Sequence, residues 1–398
     1  MTPRSQKTEN AKRQRRYAGL VKTALGAVMV LLTACVTAAP RRDERPRLTV
    51  EQVTARVPDK VKDREGWAAD VLAALDEQEL PADPETVCGV LAVIEQESGF
   101  QADPAVPGLA KLIKAELEKK TEKLGPLGPP ALHELLSGRA PGSKRTFEER
   151  LGTVKTERDL DLLFRDLLGF YRDKFPAPYK AIDLFGALFG ASPEDLNPVT
   201  TVGSMQVSVK FAERLAREQK RDVTAVRDEL YTRAGGVHYG SARLLGFTAA
   251  YSQPLFRFAD YNAGVYASRN AALQEQVGKL TELTVVPDGD LLAYDKNSTP
   301  LDRDTQSLQA ILTFAQRYAP ELSERRVRLD VREEKTAELE NTDTWRAIKR
   351  VYAQRLGVDP PYARVPDVTL RSPKLSQDRS TAWFARSVDA RYRRCLER

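Results

Sequence analysis

One carboxylate in this chain falls where an apolar side chain belongs. Asp83 followed by Pro84 signals a helix start, with Asp at the N-cap and Pro in the first turn. Val87, Val90, Leu91 and Ile94 then share one helical face. The next positions on that face are Glu97 and Ser98, and Gly99 stops the helix. A carboxylate there loses hydration and sits near the negative end of the helix dipole. Both effects penalise its charged form and raise its pKa, as a general acid requires. Glu95 lies about 200° round the helix from Glu97 and is expected to face solvent. A partly exposed helix-end glutamate with local bonds would look the same, so this helix alone leaves both roles open.

Two other polar blocks follow, Gly203-Ser204-Met205-Gln206 and Tyr261-Asn262-Ala263-Gly264. Singly, the first reads as a loop entering a helix and the second as a helix-end turn. Taken in order after Glu97-Ser98-Gly99-Phe100, they resemble the signature blocks of the lytic transglycosylases with a goose-type-lysozyme fold. Gly236-Val237-His238-Tyr239, with Leu244, Leu245 and Phe247, resembles the helix that precedes the last block. The chain as a whole resembles the DUF1615 family of bacterial lipoproteins, which carries these blocks.

The resemblance implies a mainly α, lysozyme-like helical domain acting on peptidoglycan glycan strands without a cofactor. A single glutamate, Glu97, would protonate the bond between N-acetylmuramic acid and N-acetylglucosamine. The same residue would then help the muramyl C6 hydroxyl attack C1, leaving a 1,6-anhydro end. By the same resemblance Gln206 and the Met205 main chain would line the sugar subsites, Tyr261 would orient Glu97, Asn262 would shape the pocket, and Ser98 would hold local structure beside the substrate. The likeness covers roughly residues 83–103 and 200–275. Glu97 and Gly203 are 106 positions apart here, much further than in typical members. An inserted helical subdomain over about 104–199 is therefore expected, bordering the glycan groove. Ser204 also stands where the family usually has Leu. These departures bear on substrate access more than on the identity of the acid.

The elements that must position these blocks are helical almost throughout. Trp67, Val71, Leu72 and Leu75 make one stripe; Leu160, Leu162, Leu163, Leu167, Leu168 and Tyr171 another; Trp345, Ile348, Val351, Tyr352 and Leu356 a third. Short strands are expected only at Leu283–Val286 and Val327–Val331. The domain plan is a leader at 1–34, a tether at 35–50, a helical domain at 51–285 and a mostly helical C-terminal extension at 286–398.

The leader has a basic stretch, then a mostly apolar run from Thr23 to Ala34, too short to span a bilayer as a permanent helix. Leu32-Thr33-Ala34-Cys35 resembles a lipobox, in which the Cys is lipidated and becomes the new N-terminus. An ordinary signal peptide with a chance Cys is the alternative. Val36 after the Cys implies, by the same resemblance, the outer membrane. Export permits a disulfide, and Cys88 with Cys395 is then the one intramolecular pairing; two buried thiols are the alternative.

Composition excludes several classes. The formal net charge of +6 equals the excess in residues 1–22, which hold seven basic residues against Glu9, so the rest is balanced. No nucleic-acid partner is expected on charge. Two histidines 105 positions apart argue against a zinc module or other metal centre. Asp288-Gly289-Asp290 and Tyr294–Asn297 lack calcium-loop spacing and read as polar turns. The Arg386 and Arg391–Arg394 cluster reads as the solvated face of a terminal helix. Two functions remain: a lytic transglycosylase, or a non-catalytic envelope or peptidoglycan-binding lipoprotein that retains the fold.

Overall fold

The computed structural model describes residues 46–122, 125–174, 197–295, 298–370 and 379–398. The leader and Cys35 lie outside the described residues, as do Lys296 and Asn297 of the second polar turn. The end of the expected tether is part of the fold: Leu48 is buried and its N–H donates to Ala82 O at 2.9 Å. The apolar side chain after Pro46-Arg47 has a core to enter, and Thr49 then caps the helix that follows through a reciprocal capping box with Gln52.

Among the described residues, helices α1 (Val50–Arg56), α2 (Arg64–Glu77) and α3 (Pro84–Glu97) come first. The start of α3 follows its sequence signal, with the Asp83 carboxylate accepting from Thr86 N at 2.8 Å. The inserted segment contributes α4 (Leu109–Glu122), α5 (Gly128–Ser137), α6 (Phe147–Leu151) and α7 (Glu157–Lys174). A two-stranded antiparallel hairpin follows, β1 (Thr201–Val202) with β2 (Val207–Ser208). Next come α8 (Val209–Glu218), α9 (Val226–Leu230), α10 (Arg233–Leu245), α11 (Pro254–Ala263) and α12 (Ala267–Thr281). The C-terminal part holds α13 (Gln306–Tyr318), α14 (Glu324–Asp330), α15 (Asp343–Leu356), a short β3–β4 pair (Thr369–Leu370 with Arg379–Ser380) and α16 (Thr381–Leu396). The fold is mainly α. No helix among the described residues is long and apolar enough to cross a membrane.

Both strands expected from the sequence are absent. Val327–Asp330 lies in α14 and Leu283–Val286 is irregular. The alternation Val-Arg-Leu-Asp-Val suggested a strand, but Val327, Asp330 and Val331 are buried while Leu329 is half exposed. Spacing of three and four residues, with Ser323 capping Arg326 N, selects a helix. Among the helical stripes, Leu162 and Leu356 turn out to be exposed and the other members face inward.

Burial divides into two hydrophobic clusters. One runs from Leu48 to Tyr261 and takes in Phe384, Ala385, Val388, Tyr392 and Cys395 of α16. The other runs from Leu273 to Tyr352. Thus α16, although last in sequence, packs along α3 and α11 in the first cluster. Cys88 on α3 and Cys395 on α16 are joined in a disulfide across 307 residues of sequence.

Candidate active site

Glu97 is the last residue of α3, and the local sequence fixes where the chain goes next. Ser98 caps the helix end: its hydroxyl donates to Ile94 O at 3.1 Å and accepts from Gln101 N at 3.2 Å. Gly99 and Phe100 then take left-handed φ values of 59° and 64°, turning the chain sharply. Phe100 is anchored edge-on against Trp67, with ring centroids 5.4 Å apart. Ser98 is buried with its hydroxyl committed to the backbone, so its part is to shape this turn.

After the turn, Ala105 forms a bridge with Thr156, and Val106 N donates to Lys155 O at 2.9 Å. This contact brings the start of α7 back to the end of α3. Thr156 and Asp159 cap α7 reciprocally: Asp159 N donates to Thr156 Oγ1 at 3.1 Å, and Thr156 N to Asp159 Oδ2 at 3.0 Å. Glu157 is therefore fixed as the first residue of α7, and it is buried.

The hairpin turn holds the second block. Gly203 has φ 82°, and a Cβ there would lie 2.2 Å from Leu230 O, so only glycine fits. Ser204 and Met205 are fully buried against α10. That helix presents Gly236 and Gly240 to them: a Cβ on Gly236 would meet Ser204 Oγ at 2.6 Å, and one on Gly240 would meet Met205 Cβ at the same distance. The glycines of α10 thus let the turn sit directly on the helix. Gln206 Nε2 donates to Glu157 Oε2 at 3.0 Å and to Gly203 O at 3.4 Å, while Gln206 Oε1 accepts from Thr201 at 3.2 Å.

The third block closes the site from α11. The Tyr261 hydroxyl donates to Met205 O at 2.6 Å. Asn262 is turned toward α16, its Oδ1 accepting from Thr381 Oγ1 at 3.0 Å. Gly264, with φ 130°, ends α11, and its N–H bonds back to Asp260 O.

The electrostatics single out Glu97. It keeps some accessible surface, yet protein crowds its carboxyl, and burial first, then the nearby charge of Glu157, pushes it up to about 8. Tyr261 is raised too, by burial first and then by the charge of Glu97, against the opposing effect of Arg243. Glu97, Glu157, Tyr261, Met205 and Gln206 therefore form one cluster. Sequence reasoning did not find Glu157. It lies in the insertion, and the string Thr156-Glu157-Arg158-Asp159 reads as an ordinary helix start.

Glu95 does not face open solvent as expected. It approaches Arg391 at 3.9 Å and Arg394 at 3.8 Å on α16. Arg391 and Arg394 are correspondingly turned toward α3, which corrects the expectation of a purely solvated arginine face. Beside them Ser387 donates to Gln96 Oε1 at 2.8 Å. The Asp288-Gly289-Asp290 turn is built by internal bonds, with Asp288 Oδ1 accepting from Gln274 at 2.7 Å and from Asp290 N at 3.0 Å. A cavity of about 580 Å³ lies among α4, α5 and α6, lined by Leu117, Leu132, His133 and Leu136, and shares no residue with the Glu97 cluster.

A family model described as "Protein of unknown function (DUF1615)" matches residues 60–398. The chain belongs to the DUF1615 family. It is 36% identical over 384 residues to the uncharacterized protein YaiW of Escherichia coli (strain K12), covering 95% of this chain and 98% of that protein. No solved structure matches.

Proposed function

We propose that this DUF1615 member is a cell-envelope lipoprotein that cleaves peptidoglycan as a lytic transglycosylase, on a lysozyme-like helical domain. The observation that carries this reading is the convergence of Glu97 with Met205, Gln206 and Tyr261, from blocks far apart in sequence, around a carboxyl that keeps its proton at neutral pH. Glycoside cleavage needs a proton on the leaving oxygen and stabilisation of an oxocarbenium-like transition state. Glu97 gives its proton to the bridging oxygen as the C1–O bond breaks. The resulting carboxylate takes the proton of the muramyl C6 hydroxyl as that oxygen bonds to C1. The 1,6-anhydro ring closes without water and Glu97 regains its proton.

Cys35 supplies the anchor in this proposal, as the lipidated first residue of the mature chain in the outer membrane. The Cys88–Cys395 disulfide accords with an oxidising compartment.

A second reading is a non-catalytic peptidoglycan-binding lipoprotein. One observation favours it: the Gln206 amide, Met205 O and Asn262 Oδ1 already hold bonds inside the protein. The test is incubation of purified sacculi with protein beginning at Val36, with soluble products read by mass. Anhydro-muropeptides support the transglycosylase. Reducing-end products would indicate hydrolysis by water instead, and bound but intact sacculi would support the second reading.

A further inference from the structure

The two carboxylates of the site stand at opposite ends of two helices. Glu97 closes α3, at the end of the helix dipole that opposes a negative charge; Glu157 opens α7, at the end that favours one. Neighbouring acids in glycosidases likewise sit in unlike environments and divide the roles between them. Glu157 is also bonded into the second block, because Gln206 Nε2 donates to its Oε2 at 3.0 Å.

We infer that Glu157 is a positioning residue of this site: a second carboxylate, supplied by the inserted helices, that clamps the Gln206 amide and adds a second acidic group to the Glu97 cluster. The insertion then completes the acid site as well as bordering it. This inference deepens the transglycosylase reading and rests on Glu97 being its acid. Among the described residues, the charged and titratable groups about Glu97 include Glu157 from α7 and Tyr261 from α11, with Arg243 of α10 behind Tyr261. Arg243 and Tyr261 act on each other, whereas Glu157 acts on Glu97 directly. Gln206 is neutral, so the clamp fixes the place of the Glu157 carboxylate without bringing a charge of its own.

The test reads the Glu97 carboxyl without any substrate. Protein beginning at Val36 is labelled with ¹³C at glutamate Cδ and titrated by NMR, the Glu97 signal being the one that Glu97→Gln removes. In wild type its midpoint is expected at about 8. In Glu157→Gln, which keeps shape and an oxygen acceptor for Gln206, the midpoint should fall by about one unit, a tenfold change in the acid-to-carboxylate ratio. Glu157→Asp withdraws the charge by one CH₂ and should give an intermediate midpoint, which serves if the first variant does not fold. A midpoint unchanged from wild type in a folded variant overturns the inference. Sacculus cleavage, assayed separately, distinguishes the two failures. A shifted midpoint with intact sacculi sinks only the enzyme reading, and cleavage with an unshifted midpoint sinks only the role of Glu157.

Discussion

The Tyr261 hydroxyl donates to the main-chain oxygen of Met205 across 2.6 Å, joining blocks 56 residues apart in sequence. Both residues are buried, so the bond forms where water cannot substitute for it. It also settles the direction of the hydroxyl: the hydrogen points at Met205 O. The tyrosine thus holds the turn that carries Gln206, with the charge of Glu97 bearing on its own hydroxyl.

Tyr261→Phe removes this bond and leaves Met205 O without its donor. The loss should cost about 1–3 kcal/mol of stability, measured by urea unfolding. The Gln206 turn should loosen with it, lowering sacculus cleavage at saturating protein. An unchanged unfolding midpoint would show that the bond does not matter to the fold.

The elevated Glu97 carboxyl makes a signed statement about pH. In the unfolded chain it titrates near 4.5; in the folded protein it keeps its proton up to about 8. Between those limits the folded form binds more protons, so rising pH favours the unfolded chain. Stability is therefore lost as pH climbs through this window, at no more than about 1.4 kcal/mol per unit. Glu97→Gln should lack that slope. Parallel pH–stability curves for the two proteins would contradict the raised value.

The disulfide should be both closed and important. Protein beginning at Val36, denatured without reductant, should show no free thiol. The bridge closes a loop of about 300 residues, for which the chain-entropy model gives on the order of 5 kcal/mol as an upper figure. Both sulfur-bearing residues are buried, so dithiothreitol should open the bridge only once the fold is loosened. Two reactive thiols in the unreduced protein would refute it.

The anchor is checked by mass spectrometry of membrane-extracted protein. Acyl chains are expected on Cys35, and Cys35→Ser should release the protein from membranes or block its processing. A soluble mature form with a free N-terminus elsewhere would contradict this.

The helix ending in Glu97 was legible because three local signals agree on it: Asp83-Pro84 at its start, the apolar stripe, and Gly99 at its stop. Gly203 of the second block was legible as part of a turn but not in its purpose, and Gly240 of α10 was not singled out. That Gly203 must clear Leu230 O, and Gly240 must clear Met205, is a matter of tertiary contact. Glu157 was invisible for the same reason. Its role depends on the bridge between Ala105 and Thr156, which pairs residues 51 positions apart and has no local signature. Alternation misled at Val327–Val331 because a five-residue pattern fits both periods, and burial decided between them. The placement of α16 on α3 rested on Cys88 and Cys395 alone in the sequence. Most of its packing, from Phe384 to Tyr392, could not be assigned to a partner there.

The most direct measurement is the release of anhydro-muropeptides from sacculi by wild type, Glu97→Gln and Glu95→Gln. Gln is nearly isosteric with Glu, so folding should survive, but the proton donor is gone. Loss of general acid–base catalysis costs a factor of roughly 10²–10⁴, and one group serving twice places the effect at the upper end. Among the described residues Glu95 meets its partly exposed arginine neighbours on α16, a contact worth less than about 1 kcal/mol, so its variant should cleave like wild type. Anhydro products from wild type and Glu95→Gln but not from Glu97→Gln are expected. Equal release by all three, or release by none, would contradict Glu97 as the acid of a lytic transglycosylase.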